Sequence, residues 1–429
     1  MLAKAIEQLC RREGGKVLAG LIRRFGDISL AEDLLQEAYR KALECWPREG
    51  LPHNPAAWLT TVARNEGLDQ LRGHAALLPD SAEVLAQLAG STDEEAAPQP
   101  APLVSGSASV DDDRLRLIFI CCHPALAPNV QAPLALRMLC GLSTREIARA
   151  FCEAEATVAQ RIVRAKRKIA EANIPFVVPQ RAELPQRLAL VLQVIYLVFN
   201  EGYGATEGQR LVRTELCTEA IRLGRLMEEL MPDEAEVLGL LALMRLQHAR
   251  SGARVAPDGG LLTLPEQDRS QWDAAAIGEG IALLDRALRL ARPGPYQIQA
   301  AIAALHGKAQ RAEETDWAQI AALYGALLRH LPTPVVELNA AVAQGMAHGA
   351  AEGLARLQAL EESGRLPASH YLPSAKAEFH GRLGDFRAAL AEYDRALALA
   401  GNAVEHRYLS QRRMAAERGL LSSSHACGA

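Results

Sequence analysis

A chain of 429 residues is too long for one ordinary core, so about two to four domains are expected. With 49% hydrophobic and 23% charged residues it is globular rather than disordered. A net charge of −4 excludes a chain that is basic throughout, yet it leaves room for a local cationic helix. Aromatics are only 4%, and Ala and Leu dominate over the residues that favour strands, which predicts an almost wholly α-helical protein.

The eight cysteines have no framework spacing, no signal peptide opens the chain, and no apolar run approaches about 20 residues. Reduced cysteines, a cytoplasmic location and no membrane contact are therefore expected. Cys121-Cys122-His123 invites a metal reading, but no second cluster stands at ligand spacing. Buried helix residues are the expectation there, with no metal and no cofactor.

Residues 1–75 read as a compact helical unit. Asp27 or Ser29 can cap a helix that turns Leu34, Leu35, Ala38 and Ala42 inward. Pro47, Gly50, Pro52 and Pro55 predict a loop, and a further helix carries Trp58, Leu59, Val62, Ala63, Leu68 and Leu71 from about Pro55. Residues 76–110 are acidic and rich in Pro, Ser and Gly. They read as a flexible linker: either a solvated tether or a segment that occupies a positively charged channel of a partner.

In residues 111–178, Leu142-Ser143-Thr144-Arg145-Glu146-Ile147-Ala148 predicts a helix, and Glu155 to Lys168 a second, basic one. Val158, Ile162, Ala165 and Ile169 form its apolar stripe. Gln160, Arg161, Arg164, Arg167 and Lys168 lie off that stripe. Two helices at helix-turn-helix spacing, the second with one buried and one cationic face, suit a major groove. Glu155 and Thr157 are expected to help cap the second helix.

From about 184 onward helix follows helix, broken near Pro232, 252–260, 293–295, 332–334, 364–367 and 401. Ile281–Ala291 resembles Ala391–Ala400, with Leu323–Leu328 a looser copy. Such spacing fits tetratricopeptide-type repeats or an irregular bundle. There is no catalytic constellation and no phosphate-binding Gly loop. His306, His330, His370 and His380 read as structural, and Asn200-Glu201-Gly202-Tyr203 as a turn ending a helix.

Glu146-Ile147-Ala148, Glu155-Ala156-Thr157-Val158 and Arg161–Lys166 resemble region 4 of bacterial RNA polymerase sigma factors. Ala31–Tyr39 resembles their region 2.2, and Asn54–Asn65 resembles regions 2.3 and 2.4. Asp112–Phe119, Cys121–Pro124, Tyr196–Tyr203 and Asp316–Tyr324 are similar to the extracytoplasmic-function subgroup with a fused tetratricopeptide-like domain.

The resemblance implies an all-α protein with four parts: region 2 (1–75), linker (76–110), region 4 (111–178) and a regulatory helical domain (179–429). It implies a non-enzymatic function, promoter-directed transcription initiation. The partners would be the polymerase core, through its β′ clamp helices and β flap, promoter DNA, and a protein or peptide ligand of the C-terminal half. Asp33, Leu34, Gln36 and Glu37 match the core-docking positions. Trp58, Thr61, Arg64 and Asn65 match the −10 contacts, although Trp58 also reads as a core residue. Thr157, Ala159, Gln160, Arg161, Val163, Arg164, Arg167 and Lys168 match the −35 contacts, and Lys166 reads as a phosphate contact. Two features depart from the family pattern: Cys152-Glu153 in the turn, and Pro133 inside the first region 4 helix. The competing readings are a helical-repeat scaffold and a helix-turn-helix regulator that acts without core polymerase.

Overall fold

The computed structural model describes residues 2–75, 112–151, 153–180, 182–204, 213–256, 260–366, 368–401 and 403–426. The expected linker and Cys152 lie outside the described residues. The described chain is helical, and its one isolated β-bridge joins Val255 and Leu261. It divides into two compact units, Met1–Leu197 and Val198–Ala429. The division falls inside a helix, Leu184–Tyr203, rather than near Pro179.

The first unit begins with α1 (Leu2–Phe25), α2 (Ile28–Glu49) and α3 (Pro55–Ala75), each packed on the other two. Asp27 caps α2, its side chain accepting from the Leu30 amide at 2.9 Å. Ile28, Ala31, Leu34, Leu35, Ala38, Ala42 and Trp46 recur at helical spacing and are buried. A side chain on Gly67 of α3 would collide with Phe25 and Leu34, so glycine there lets the three helices close. Pro47 does not break α2, contrary to expectation: the helix runs to Glu49 and ends at Gly50, whose φ is 88°. The bond that Pro47 forgoes would reach residue 43, an exposed position where water can substitute.

Next come α4 (Asp113–Cys121), α5 (Pro128–Cys140), α6 (Thr144–Ala150) and α7 (Glu155–Glu171). Asp112 caps α4 through the Leu115 amide at 2.8 Å. Cys121 and Cys122 are buried at its end, and burial pushes both thiols up, Cys122 to about 12. Among the described residues no cluster suited to a metal ion forms. Pro133 lies within α5, and its missing bond would reach residue 129, which is exposed. Helix α1 packs on α4 and α5 as well as on its own neighbours. Gly15 lies so close to the Leu139 backbone that no side chain would fit. Arg23 and Asp113 pair at 3.4 Å.

The Leu184–Tyr203 helix is α8. Beyond it lie α9 (Thr214–Leu230), α10 (Ala235–His248), α11 (Ala274–Arg289), α12 (Pro295–Lys308), α13 (Trp317–His330), α14 (Pro334–His348), α15 (Ala350–Glu362), α16 (Tyr371–Arg382), α17 (Phe386–Leu399) and α18 (Ala403–Ala426). Most pack on their sequence neighbours, and α10 packs on both α11 and α12. Small residues set several of these approaches: Gly280 of α11 lies against Leu246, and Gly345 and Gly353 leave room for Phe379. The look-alike segments fall on α11, α13 and α17. Asn200–Tyr203 is the end of α8, with Glu201 buried beside Arg213 at 3.5 Å. Among the described residues no helix is long and apolar enough to cross a membrane.

Candidate nucleic-acid interface

Helix α7 owes its position to its buried stripe. Val158, Ile162, Ala165 and Ile169 are all buried, as their spacing predicts. The preceding α6 carries a reciprocal capping box. The Ser143 amide donates to Glu146 Oε2 at 2.6 Å, and the Glu146 amide donates to Ser143 Oγ at 3.2 Å. Arg137 of α5 donates to the Leu142 carbonyl at 2.9 Å, fixing the entry to α6. The turn closes with the Glu153 amide on the Ala148 carbonyl at 2.8 Å.

The expected capping by Glu155 and Thr157 is not found. The N-cap is Ala154, and no side chain caps α7. Both residues are exposed at the helix start. An uncapped helix start presents amides and the positive end of a dipole, which suits an oxyanion.

The sequence-predicted contacts on α7 fall into two groups. Gln160, Val163, Arg164, Arg167 and Lys168 are exposed on the side away from the stripe, and Ala159 is half-buried at its edge. Val163 is 65% exposed, unusual for a large apolar side chain in the middle of a helix. Arg164 and Lys168 have no hydrogen-bond or ion-pair partner among the described residues. Arg167 pairs with Glu171 at 3.3 Å, both well exposed. Arg161, by contrast, is tied back to Glu153, and Lys166 to Glu32 of α2. The second pair joins residues 134 apart in sequence, so periodicity could not have revealed it.

On α2, Asp33 and Gln36 are exposed, and Asp33 has no partner among the described residues. Glu37 is half-buried and hydrogen-bonded by Arg40 Nε at 2.9 Å, which holds its carboxyl below the ordinary value. Lys41 bridges onward to Glu66 of α3 at 2.7 Å. Leu34 departs from the expected docking set. It is 0% exposed, and its role is to seal the packing of α1, α2 and α3 rather than to meet a partner.

On α3, Thr61 and Asn65 are exposed and share a face with the half-buried Trp58. The Trp58 ring meets Trp46 edge-on, centroids 5.2 Å apart, and Trp46 is 2% exposed. Trp58 is thus anchored on one side and accessible on another. Arg64 is half-buried, its Nε enclosed without a hydrogen-bond partner. Asn54 caps α3 through the Ala57 amide at 3.1 Å.

Residues 9–76 match the family Sigma-70 region 2, and residues 116–169 match Sigma-70, region 4. These two matches cover most of α1–α3 and most of α4–α7, in family order. The chain belongs to the sigma-70 family. As a sigma factor it directs transcription initiation, with RNA polymerase core and promoter DNA as partners. Residues 187–288 match a family of unknown function, DUF6596. The sigma factor is also 46% identical, over 397 residues and 92% of each chain, to an uncharacterized protein of Rhizobium meliloti (strain 1021).

Proposed function

We propose that this sigma factor belongs to the extracytoplasmic-function group and acts in the cytoplasm, reading −10 and −35 elements with two separate helix faces. The observation that carries this reading is the exposed, unpartnered face of α7. Gln160, Val163 and Arg164 supply an amide, an apolar surface and a guanidinium side by side. These are the groups that adenine, a thymine methyl and guanine accept in a major groove. Lys168, Arg167 and Thr157 flank them as phosphate contacts, with Ala159 at the edge and Arg161 recruited once it leaves Glu153.

Core docking falls to the α2 surface around Asp33 and Gln36, with Glu37 reinforcing the negative field; the β′ clamp helices are the partner for this face and the β flap for region 4. At the −10 element, Trp58 offers a ring face for an unstacked base, and Thr61, Asn65 and Arg64 supply polar contacts. The C-terminal helices form a tetratricopeptide-like domain that modulates the sigma activity and accepts a ligand.

A run-off assay with core polymerase tests the central claim. Arg164→Ala should lower initiation from the cognate promoter by about tenfold or more, the worth of one bidentate base contact. Core binding should stay unchanged. Equal losses in both would remove Arg164 from promoter reading.

A further inference from the structure

The second unit holds three arginines set against aromatic rings, Arg250 buried and Arg254 and Arg269 half-buried, with no ion-paired carboxylate among the described residues. Arg250 is 6% exposed, and its Nε and Nη1 have no hydrogen-bond partner. Its guanidinium lies over Trp272, 5.7 Å from the ring centroid. Arg269 approaches the same ring at 4.9 Å. Its Nη1 donates to the carbonyls of His306 and Ala309 at 2.9 and 2.8 Å, and its Nη2 donates to Thr315 Oγ1 at 3.1 Å. Its Nε is buried and unpartnered. Arg254 lies over Tyr203, 3.7 Å from the centroid, and donates to the Tyr203 carbonyl.

His306 belongs to this group rather than to an ordinary helix interior. It is 7% exposed, its Nδ1 has no partner, and its ring meets Trp317 edge-on at 5.3 Å. Burial, then Arg250 and Arg269, push its pKa down to about 4. The indole Nε1 of Trp272 is likewise buried and unpartnered.

Among the described residues no carboxylate forms an ion pair with Arg250, Arg254 or Arg269. Glu313 and Glu314 act on Arg269 only at a distance, and Glu314 is already hydrogen-bonded by Arg311 at 2.8 Å. Carboxylates are not scarce elsewhere in the unit. On α9–α11, Arg286 pairs with Glu228 at 2.6 Å and Arg245 pairs with Glu279. A buried guanidinium is stable only when its charge and its N–H groups are met, and an aromatic ring meets only part of that need.

We propose that Arg250, Arg269 and Trp272, with Arg254 beside them, form a binding site for an oxyanion-bearing ligand, a phosphate or carboxylate group, within the C-terminal unit. The anion supplies the charge that no described side chain provides, and the donors Arg250 Nε and Nη1, Arg269 Nε and Trp272 Nε1 receive its oxygens. A bound anion would also favour protonation of His306.

The test is thermal unfolding of the full chain titrated with inorganic phosphate and, separately, with acetate, against sodium chloride at matched ionic strength. The comparison is wild type against Arg250→Met, which keeps the side-chain bulk and removes the charge. Near saturation, at about 100 times Kd, phosphate or acetate should raise the wild-type Tm by about 5 °C or more beyond the chloride control. The larger response tells which oxyanion the site takes. Arg250→Met should lose that increment, and without anion it should unfold no earlier than wild type. Isotope-detected titration of the His306 ring gives a second readout: its pKa should rise with anion in wild type and stay fixed in Arg250→Met. An equal anion response in both proteins, or an Arg250→Met protein that is destabilised with its response intact, would overturn the proposal and make Arg250 a purely structural residue.

Discussion

Helix α7 and the cluster around Trp272 are both rich in arginine, and they treat positive charge in opposite ways. On α7, Arg164 and Lys168 stand in water above a buried apolar stripe, so their charge costs nothing to hold and is free for a phosphate or base. Around Trp272, Arg250 has left the water and Arg269 is half-buried, and rings and carbonyls take the water's place. The contrast teaches that arginine count says little by itself: burial decides whether a guanidinium is an offered contact or a structural debt awaiting a partner.

The comparison breaks most sharply at Arg269. Arg269→Ala removes donors from three enclosed oxygens, so a loss of about 3–5 kcal/mol of unfolding free energy is expected by denaturant titration. Arg164→Ala should stay within about 0.5 kcal/mol in the same measurement, because nothing folded depends on it. Similar losses in the two would erase the distinction. Next in size is Leu34→Ala, expected to cost about 2–5 kcal/mol from the cavity it leaves. Asp33→Arg should leave stability nearly unchanged and weaken core binding about tenfold in a pull-down or anisotropy titration.

A pH series sharpens the buried side. The folded pKa of His306 lies near 4, below its ordinary 6.5, so the unfolded chain binds the extra proton between those values. Stability contributed by neutral His306 is therefore complete above about pH 6.5 and declines as pH falls toward 4. His306→Gln should flatten that part of the stability profile. The smallest effect belongs to Lys168→Ala, a phosphate contact. It should weaken duplex binding similarly on all sequences and lower the salt slope of log K by about 1.

Much of this was legible in local pattern. The stripe from Val158 to Ile169 and the Asp27 cap follow from spacing and side-chain chemistry within one or two turns. The breaks after α9, α11 and α13 follow from Pro and Gly. What escaped depends on contacts between distant residues. Trp46 under Trp58, Glu32 on Lys166 and Arg269 on His306 join separate helices, and no periodicity encodes them. Leu34 was misassigned for a related reason. Its docking role came by resemblance along with its exposed neighbours, whereas the α2 register turns it fully inward. Pro47 misled because a helix tolerates proline where the orphaned carbonyl can reach water.

The Glu32–Lys166 pair joins the helix that carries Asp33 to the helix that carries Arg164. If α2 meets the polymerase and α7 meets the promoter, one ion pair belongs to the edge of both events. Thermodynamic linkage then makes them reciprocal: whatever factor core binding adds to promoter affinity, the promoter returns to core affinity. Glu32→Gln uncouples the two ends. The free protein should then hold duplex DNA more tightly, and core should add less to that affinity than it does in wild type.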